Sequence, residues 1–391
     1  MNNYTFYNPT KLYFGPDQIE NNLGQVVKSY GSRVLFMYGG GSIKKTGTYD
    51  RIMKSLKEAG VEVTEFQGVE PNPQYTTVNR AADVCKAADC NVVLAVGGGS
   101  VIDAGKMVTQ ARFYDGDCWD LVTQKVTVDQ GLPLVAIPTM ASAGSENDAW
   151  AVISNADTNQ KLDPWGETFQ PVAAFVDPTI TYTVSSYQTA VGAADILSHV
   201  IDIRYFIKEH KISFIDEWME AMCRNVIRTA PIALADPTNE EARETLSLAS
   251  YMITGGIVDQ GGTSDMPLHL TEYGIAAFYE SPHGHGIAIL MPRWMQYILS
   301  EETAPAFYRF GVACLGLEEG MDVMAGAQAA IDGVSDWLYN KLGLESHLAA
   351  FGVEESKLHA MAEKALRGKE VVHGLTDLTL DDVENIFKMC M

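Results

Sequence analysis

Positive charge is scarce in this sequence. Only 28 Lys and Arg stand against 50 Asp and Glu, a net charge of −22 over 391 residues. A surface of that sign lacks the basic footprint that nucleic-acid phosphates require, and it is equally unsuited to anionic lipid. Long apolar runs are missing too. Stretches such as Asn91 to Val96 fall far short of the roughly 20 residues a membrane span needs. The opening Met1-Asn2-Asn3-Tyr4 has neither the basic nor the apolar region of a secretory leader. The six cysteines (Cys85, Cys90, Cys118, Cys223, Cys314 and Cys390) form no C-x-x-C pair. That fits buried thiols in a reducing compartment better than a disulfide framework or a thiolate metal site. The expectation is a soluble cytoplasmic protein with neither nucleic acid nor membrane as partner.

What is present is a well-cored chain, 47% hydrophobic and 20% charged, long enough for two domains. Its texture changes near residue 184. Before that point short β-rich runs alternate with helical stretches. Strands are predicted at Arg33 to Tyr38, Val61 to Phe66, Asn91 to Val96, Pro133 to Ile137 and Val172 to Val176. Buried strands alternating with helices predict an α/β domain with a mostly parallel sheet over 1–184. Beyond it the strand signals stop. Helical spacing predicts an all-α domain over 185–391, with segments at Ser186–His210, Phe214–Ala230, Asn239–Asp259, Leu268–Glu280, Pro292–Leu299 and Met321–Leu342. At the start, Tyr4 to Tyr7 and Lys11 to Phe14 read as a short hairpin. An isolated hairpin is marginal, so a second copy of the chain is expected to cover it.

Gly97-Gly98-Gly99-Ser100 lies between a predicted strand and a predicted helix. Glycines allow close backbone approach, and a helix N-terminus offers amide N–H groups and the positive end of its dipole. The loop suits a pyrophosphate, although it is not the G-x-G-x-x-G fingerprint; it also reads as a tight turn. Gly39-Gly40-Gly41-Ser42, followed by Lys44 and Lys45, repeats the pattern. Dinucleotide folds often place an acid near such a strand end to hold the ribose 2′-OH. Here that place holds glycine, which would admit a 2′-phosphate. The alternative is a turn with solvated lysines.

Histidine is also rare, at eight residues. Asp195 and His199 stand at i and i+4, on one face of a helix and close enough to share a cation. Such pairs are also common without one. His269 and His283 lie fourteen residues apart, about 21 Å along an unbroken helix. Ser281-Pro282-His283-Gly284-His285-Gly286 must break that helix, because Pro282 lacks an N–H and the glycines loosen the backbone. The turn can bring His283 back toward His269. One Asp with three His suits Fe(II), Zn(II), Ni(II) or Co(II).

Taken in order, these motifs resemble the iron-containing alcohol dehydrogenases of the dehydroquinate-synthase-like fold. The likeness runs through Phe14-Gly15, Glu70-Pro71-Asn72-Pro73, Gly97 to Asp103, Pro138-Thr139, Gly144-Ser145-Glu146, Asp177-Pro178, Asp195 to His199, and His269 with His283. Tyr38 to Lys45 looks like the branch of NADP-dependent butanol dehydrogenases and broad aldehyde reductases. The resemblance implies one divalent metal, Fe(II) first with Zn(II) or Ni(II) also fitting, on Asp195, His199, His269 and His283. It implies a pyrophosphate on Gly98, Gly99 and Ser100, and NADP(H) read by Gly39, Gly40, Gly41 and Ser42. Asn72, Thr139, Ser142 and Lys161 match further cofactor contacts.

Three departures stand out: Tyr273 where many relatives carry a second histidine, Asp202 for a common glutamate, and the extra His285. Tyr273 and His285 become the candidate proton-transfer groups. The implied reaction interconverts primary alcohols and aldehydes of butanol and butanal size by hydride transfer to a metal-polarised carbonyl, in a homodimer. The rivals are a metal-dependent lyase on the same fold and a non-enzymatic nucleotide or metal sensor.

Overall fold

The computed structural model describes residues 5–208, 212–256 and 264–391. The chain divides into two compact units. One comprises Tyr7–Val184 with Ser250–Gly255, and the other is built on Ser185–Ala249 and Gly256–Met391.

The first unit carries a six-stranded sheet in the order β1-β8-β5-β4-β2-β3. The strands are β1 Lys11–Phe14, β2 Arg33–Tyr38, β3 Glu62–Gln67, β4 Val92–Gly97, β5 Leu134–Pro138 and β8 Ala173–Val176. All are paired in parallel. A small antiparallel pair, β6 Ile153–Asn155 and β7 Gln160–Leu162, stands apart. Helices α1 Gly24–Tyr30, α2 Ser42–Lys45, α3 Thr48–Glu58, α4 Tyr75–Ala87, α5 Gly99–Ala111 and α6 Cys118–Val122 supply the crossovers. Alternate residues of each central strand enter different cores, as the two-residue period requires. Leu35, Met37, Val93 and Ala95 fill one face; Val34, Phe36, Tyr38, Leu94 and Val96 fill the other.

The predicted N-terminal hairpin does not form. Lys11–Phe14 joins the sheet edge in parallel with β8, and residues 5–10 hold no strand; Tyr4 lies outside the described residues. The cause is local. Pro9 has no N–H to give a ladder, and the amide of Thr10 turns back to Asn8 Oδ1 at 2.9 Å. Thr10 Oγ1 then donates to Pro171 O at 2.7 Å, and Tyr13 stacks on Phe175 with centroids 4.4 Å apart.

The second unit contains α7 Ser186–Val200, α8 Ser213–Ala235, α9 Glu240–Met252, α10 Pro267–Ala276, α11 His283–Tyr297, α12 Ala304–Phe310, α13 Val323–Asp336, α14 Leu358–Leu366 and α15 Leu380–Met389. Pro282 caps α11, so the predicted break is real. The glycines after it are not looseners, however: Gly284, Gly286 and Pro292 all lie inside α11, where a separate helix from Pro292 was expected. Pro292 cannot bond the carbonyl of Ala288, and the Tyr339 hydroxyl donates to that oxygen at 2.9 Å. Pro231 inside α8 leaves the Ile227 carbonyl in the same state, and Trp337 Nε1–H reaches it at 3.0 Å. Helix interiors thus tolerate proline where a side chain replaces the missing donor. All six cysteines are buried and free. Among the described residues no helix is long and apolar enough to cross a membrane.

Candidate metal centre and nucleotide loops

Two sites take shape, one in each unit. In the α/β unit, β4 ends at Gly97 and α5 begins at Gly99, with Gly98 as its cap. A Cβ on Gly97 would meet Val101 Cγ2 at 2.4 Å, whereas on Gly98 or Gly99 it would meet nothing nearer than 3.4 Å. The first glycine is therefore demanded by packing. The next two keep a cradle open in front of the Gly99 and Ser100 amides.

Behind the loop lies a buried polar network that sequence reasoning missed. Lys106, 0% exposed, donates to Asp148 Oδ1 at 2.5 Å and Trp150 O at 2.7 Å. Asp103 accepts from Ser145 Oγ at 2.5 Å and Val152 N at 3.0 Å. Burial pushes the carboxyls of Asp103 and Asp148 up, Asp148 to about 6, with Lys106 opposing both. Burial pushes Glu146 up to about 7.

The second glycine loop follows β2. Gly41 has φ +94°, and a Cβ on Gly39 would lie 3.2 Å from Val69 O. Lys44 does not point freely to solvent. Its Nζ is 3.5 Å from Glu65 Oε2 and sits over the rings of Tyr38 and Tyr49. The hydroxyls of those tyrosines both donate to Glu65, at 2.6 Å each. Those bonds, Tyr38's first, hold Glu65 below the usual carboxylate range. Of the other nucleotide candidates, Asn72 takes a left-handed backbone, φ +50°. Thr139 N bonds Gly97 O at 2.9 Å, tying its loop to the first glycine. Ser142 N–H donates to Ser250 Oγ at 2.9 Å, and Lys161 is buried on β7.

In the helical unit, α7 presents Asp195 and His199 one turn apart, and α10 presents His269. One ligating atom from each of the three lies within 4.8 Å of the others. His283 enters from the first turn of α11, its Nε2 3.6 Å from Asp195 Oδ1, and its ring centroid is 5.5 Å from that of His269. Gly284 permits this approach, since a Cβ there would stand 2.3 Å from Val191 O and 3.0 Å from Asp195 Cβ.

Each histidine is held through Nδ1. For His199 the acceptor is the Asp195 carbonyl at 2.9 Å. For His269 it is Asp202 Oδ2 at 2.7 Å, which also takes the His269 amide. For His283 it is Glu272 Oε2. Burial drives His199 down to about 4, leaving it neutral with a lone pair to offer. Asp195, Asp202 and Glu272 are 2%, 0% and 0% exposed. Three carboxylates packed around three imidazoles are costly without a cation, and the N/O donor set fits a divalent transition metal.

Tyr273 is buried, with its ring 5.9 Å from His283 and the Arg367 guanidinium 4.9 Å over it. His285 is engaged elsewhere: Nδ1 is 2.9 Å from the Tyr187 hydroxyl, and Nε2 donates to Glu345 O at 3.0 Å. Glu272 carried no signal in the sequence beyond being an acid three residues after His269.

A parallel sheet with a glycine loop at a helix N-terminus, and a helical unit with an Asp/His cluster, are an arrangement that a nucleotide phosphate and a divalent metal would fit. The comparisons give the family. Residues 9–178 match the model "Iron-containing alcohol dehydrogenase", and residues 189–391 match "Fe-containing alcohol dehydrogenase family, C-terminal". The chain belongs to the iron-containing alcohol dehydrogenase family, whose members are alcohol and aldehyde oxidoreductases using a nicotinamide cofactor and a metal. It is 40% identical to NADH-dependent butanol dehydrogenase B of Clostridium acetobutylicum, over 99% of each chain. It is 31% identical to the NADPH-dependent aldehyde reductase YqhD of Escherichia coli, again over 99% of each. The crystal structure of NADH-dependent butanol dehydrogenase A from Thermotoga maritima superposes with a TM-score of 0.93 at 31% identity, covering 100% of this chain and 99% of that one.

Proposed function

We propose that the protein is an NADP(H)-linked enzyme that reduces small aliphatic aldehydes of butanal size and oxidises the matching primary alcohols, with Asp195, His199, His269 and His283 as ligands of one divalent metal. The observation that carries this reading is the convergence of Asp195, His199 and His269 within 4.8 Å, with His283 Nε2 turned onto the same carboxylate. Fe(II) fits first, and Zn(II) or Ni(II) fits the same donors. When bound, the metal supplies Lewis-acid polarisation of the carbonyl, and the nicotinamide supplies the hydride chemistry.

The residues of the chain do the rest. Gly98, Gly99 and Ser100 hold the pyrophosphate by backbone amides. Asn72, Thr139, Ser142 and Lys161 line the nucleotide, and the buried Lys106–Asp148 pair stiffens the loop behind it. Tyr273, whose ring lies 5.9 Å from that of His283, is the residue that hands a proton toward the forming alcohol. His285, with both nitrogens committed, serves the proton route only through Tyr187. The preference for NADP(H) rests on Gly39, Gly40, Gly41 and Ser42, whose N–H and O–H groups can donate to a 2′-phosphate where a carboxylate would repel it. The relatives split on this point by name, so the ratio must be measured.

A homodimer completes the reading. Tyr7 and Phe6, 81% and 44% exposed, are apolar groups that a second copy would cover; a monomeric mass by light scattering at micromolar concentration would reject it. The activity is tested by following NADPH oxidation at 340 nm across an aldehyde panel, with enzyme loaded with Fe(II), Zn(II) or Ni(II). Turnover with butanal-like aldehydes, lost on chelation, is expected. Cofactor and metal binding with no turnover on any aldehyde would instead favour a sensor, and phosphate release from a sugar phosphate would favour a lyase.

A further inference from the structure

Helix α10 delivers more than His269. Three residues on, on the same face of the helix, it carries Glu272, whose side chain is wholly buried. The carboxylate accepts the Nδ1–H of His283, a residue of the next helix. Space for it is built into that helix: a Cβ on Gly286 would stand 2.9 Å from Glu272 Cγ and 3.2 Å from Oε1. Two glycines of α11 therefore serve two contacts. Gly284 lets His283 reach Asp195, and Gly286 leaves room for Glu272 behind the ring. A proton on Nδ1 leaves the lone pair on Nε2, the nitrogen 3.6 Å from Asp195 Oδ1. A buried carboxylate is expensive, and this one faces an imidazole of the cluster.

We propose that Glu272 is a positioning residue for the metal centre: it fixes the tautomer and aim of His283 and supplies a buried negative charge that tightens the hold on a divalent cation. The inference rests on reading Asp195, His199, His269 and His283 as the ligands. His283 differs in this from His199, which is oriented by a neutral backbone carbonyl. A carboxylate behind a ligating imidazole makes it a better donor and stops the ring rotating.

The test is the rate at which Zn(II) leaves the purified holoenzyme for a colorimetric chelator, in the parent and in Glu272→Leu, Glu272→Gln and His283→Ala. Far-ultraviolet circular dichroism confirms that each variant is folded. Glu272→Leu should release Zn(II) about 10–100-fold faster. Glu272→Gln should fall between it and the parent, because its amide oxygen still accepts the Nδ1–H but carries no charge. Should the leucine variant fail to fold, the near-isosteric glutamine variant still reads the effect. Release from both Glu272 variants within twofold of the parent, with His283→Ala losing its metal, would overturn the positioning role and leave the ligand set standing. Parent-like metal retention in His283→Ala would overturn the ligand set itself.

Discussion

The two units prepare for their ligands with opposite materials. The α/β unit offers backbone: glycines at 39–41 and 97–99, amide groups at the head of α5, and side chains that mostly support loops from behind. The helical unit offers side chains: three imidazoles, each held through Nδ1, and three buried carboxylates. A backbone site binds what every nucleotide shares and discriminates weakly, so a change of one loop residue can alter preference without disturbing the fold. A side-chain site depends on how closely helices approach, so small changes of volume reach the chemistry.

Gly284 gives the largest contrast. Gly284→Ala puts a Cβ 2.3 Å from Val191 O, so α11 must move off α7, at a cost of about 1–3 kcal/mol or more. Denaturant unfolding should show the loss, and metal content should fall with it. Gly40→Ala in the nucleotide loop meets nothing within 4 Å and should unfold like the parent. Equal effects of the two alanines would break the contrast.

Next comes pH. Glu146 is held up to about 7 by burial, above its unfolded value. The folded state therefore keeps a proton that the unfolded chain has lost. Stability from this group is fully present below the ordinary carboxylate range and is lost as pH rises to about 7. The loss is on the order of 3 kcal/mol. Glu146→Gln should remove it. Unfolding free energies at pH 5 and pH 8 should fall less in the variant than in the parent; an identical fall would show that Glu146 is not the group responsible.

The nucleotide loop is sharpened by Gly39→Asp. A carboxylate there should shift the kcat/KM ratio of NADPH to NADH toward NADH by at least about tenfold, one or two charge-assisted bonds. A modest loss of stability should accompany it, because the new Cβ would stand 3.2 Å from Val69 O and that carbonyl must give by a few tenths of an ångström. An unchanged ratio would show that this loop does not read the 2′ position. The smallest effect is expected at Tyr339→Phe, which leaves the Ala288 carbonyl above Pro292 without its side-chain donor, at about 1 kcal/mol. Thermal unfolding would detect it, and a parent-like transition would show that another group serves that carbonyl.

The same contrast governs how much could be read from sequence. Strands β2, β4 and β5 were plain because their residues are apolar on both faces, and the glycines after β2 and β4 announced the loops. The i,i+4 spacing of Asp195 and His199 and the break at Pro282 pointed to the residues that meet. What escaped was whatever depends on another element. Gly284 and Gly286 looked like flexible residues, but they are contact surfaces inside a helix. Glu272 looked like one more helical acid, and its meaning comes from His283. Lys106 and Asp148 are 42 residues apart and carry no pattern. The N-terminal hairpin failed because alternation cannot tell an antiparallel partner from a parallel one, and Asn8-Pro9 turns the chain onto β8.

The central claim is that the helical unit holds one divalent metal through Asp195, His199, His269 and His283. Elemental analysis of anaerobically purified protein, parent beside His269→Ala, tests it directly. The account predicts close to one ion per chain in the parent and little or none in the folded variant. A full complement of metal in His269→Ala would contradict it.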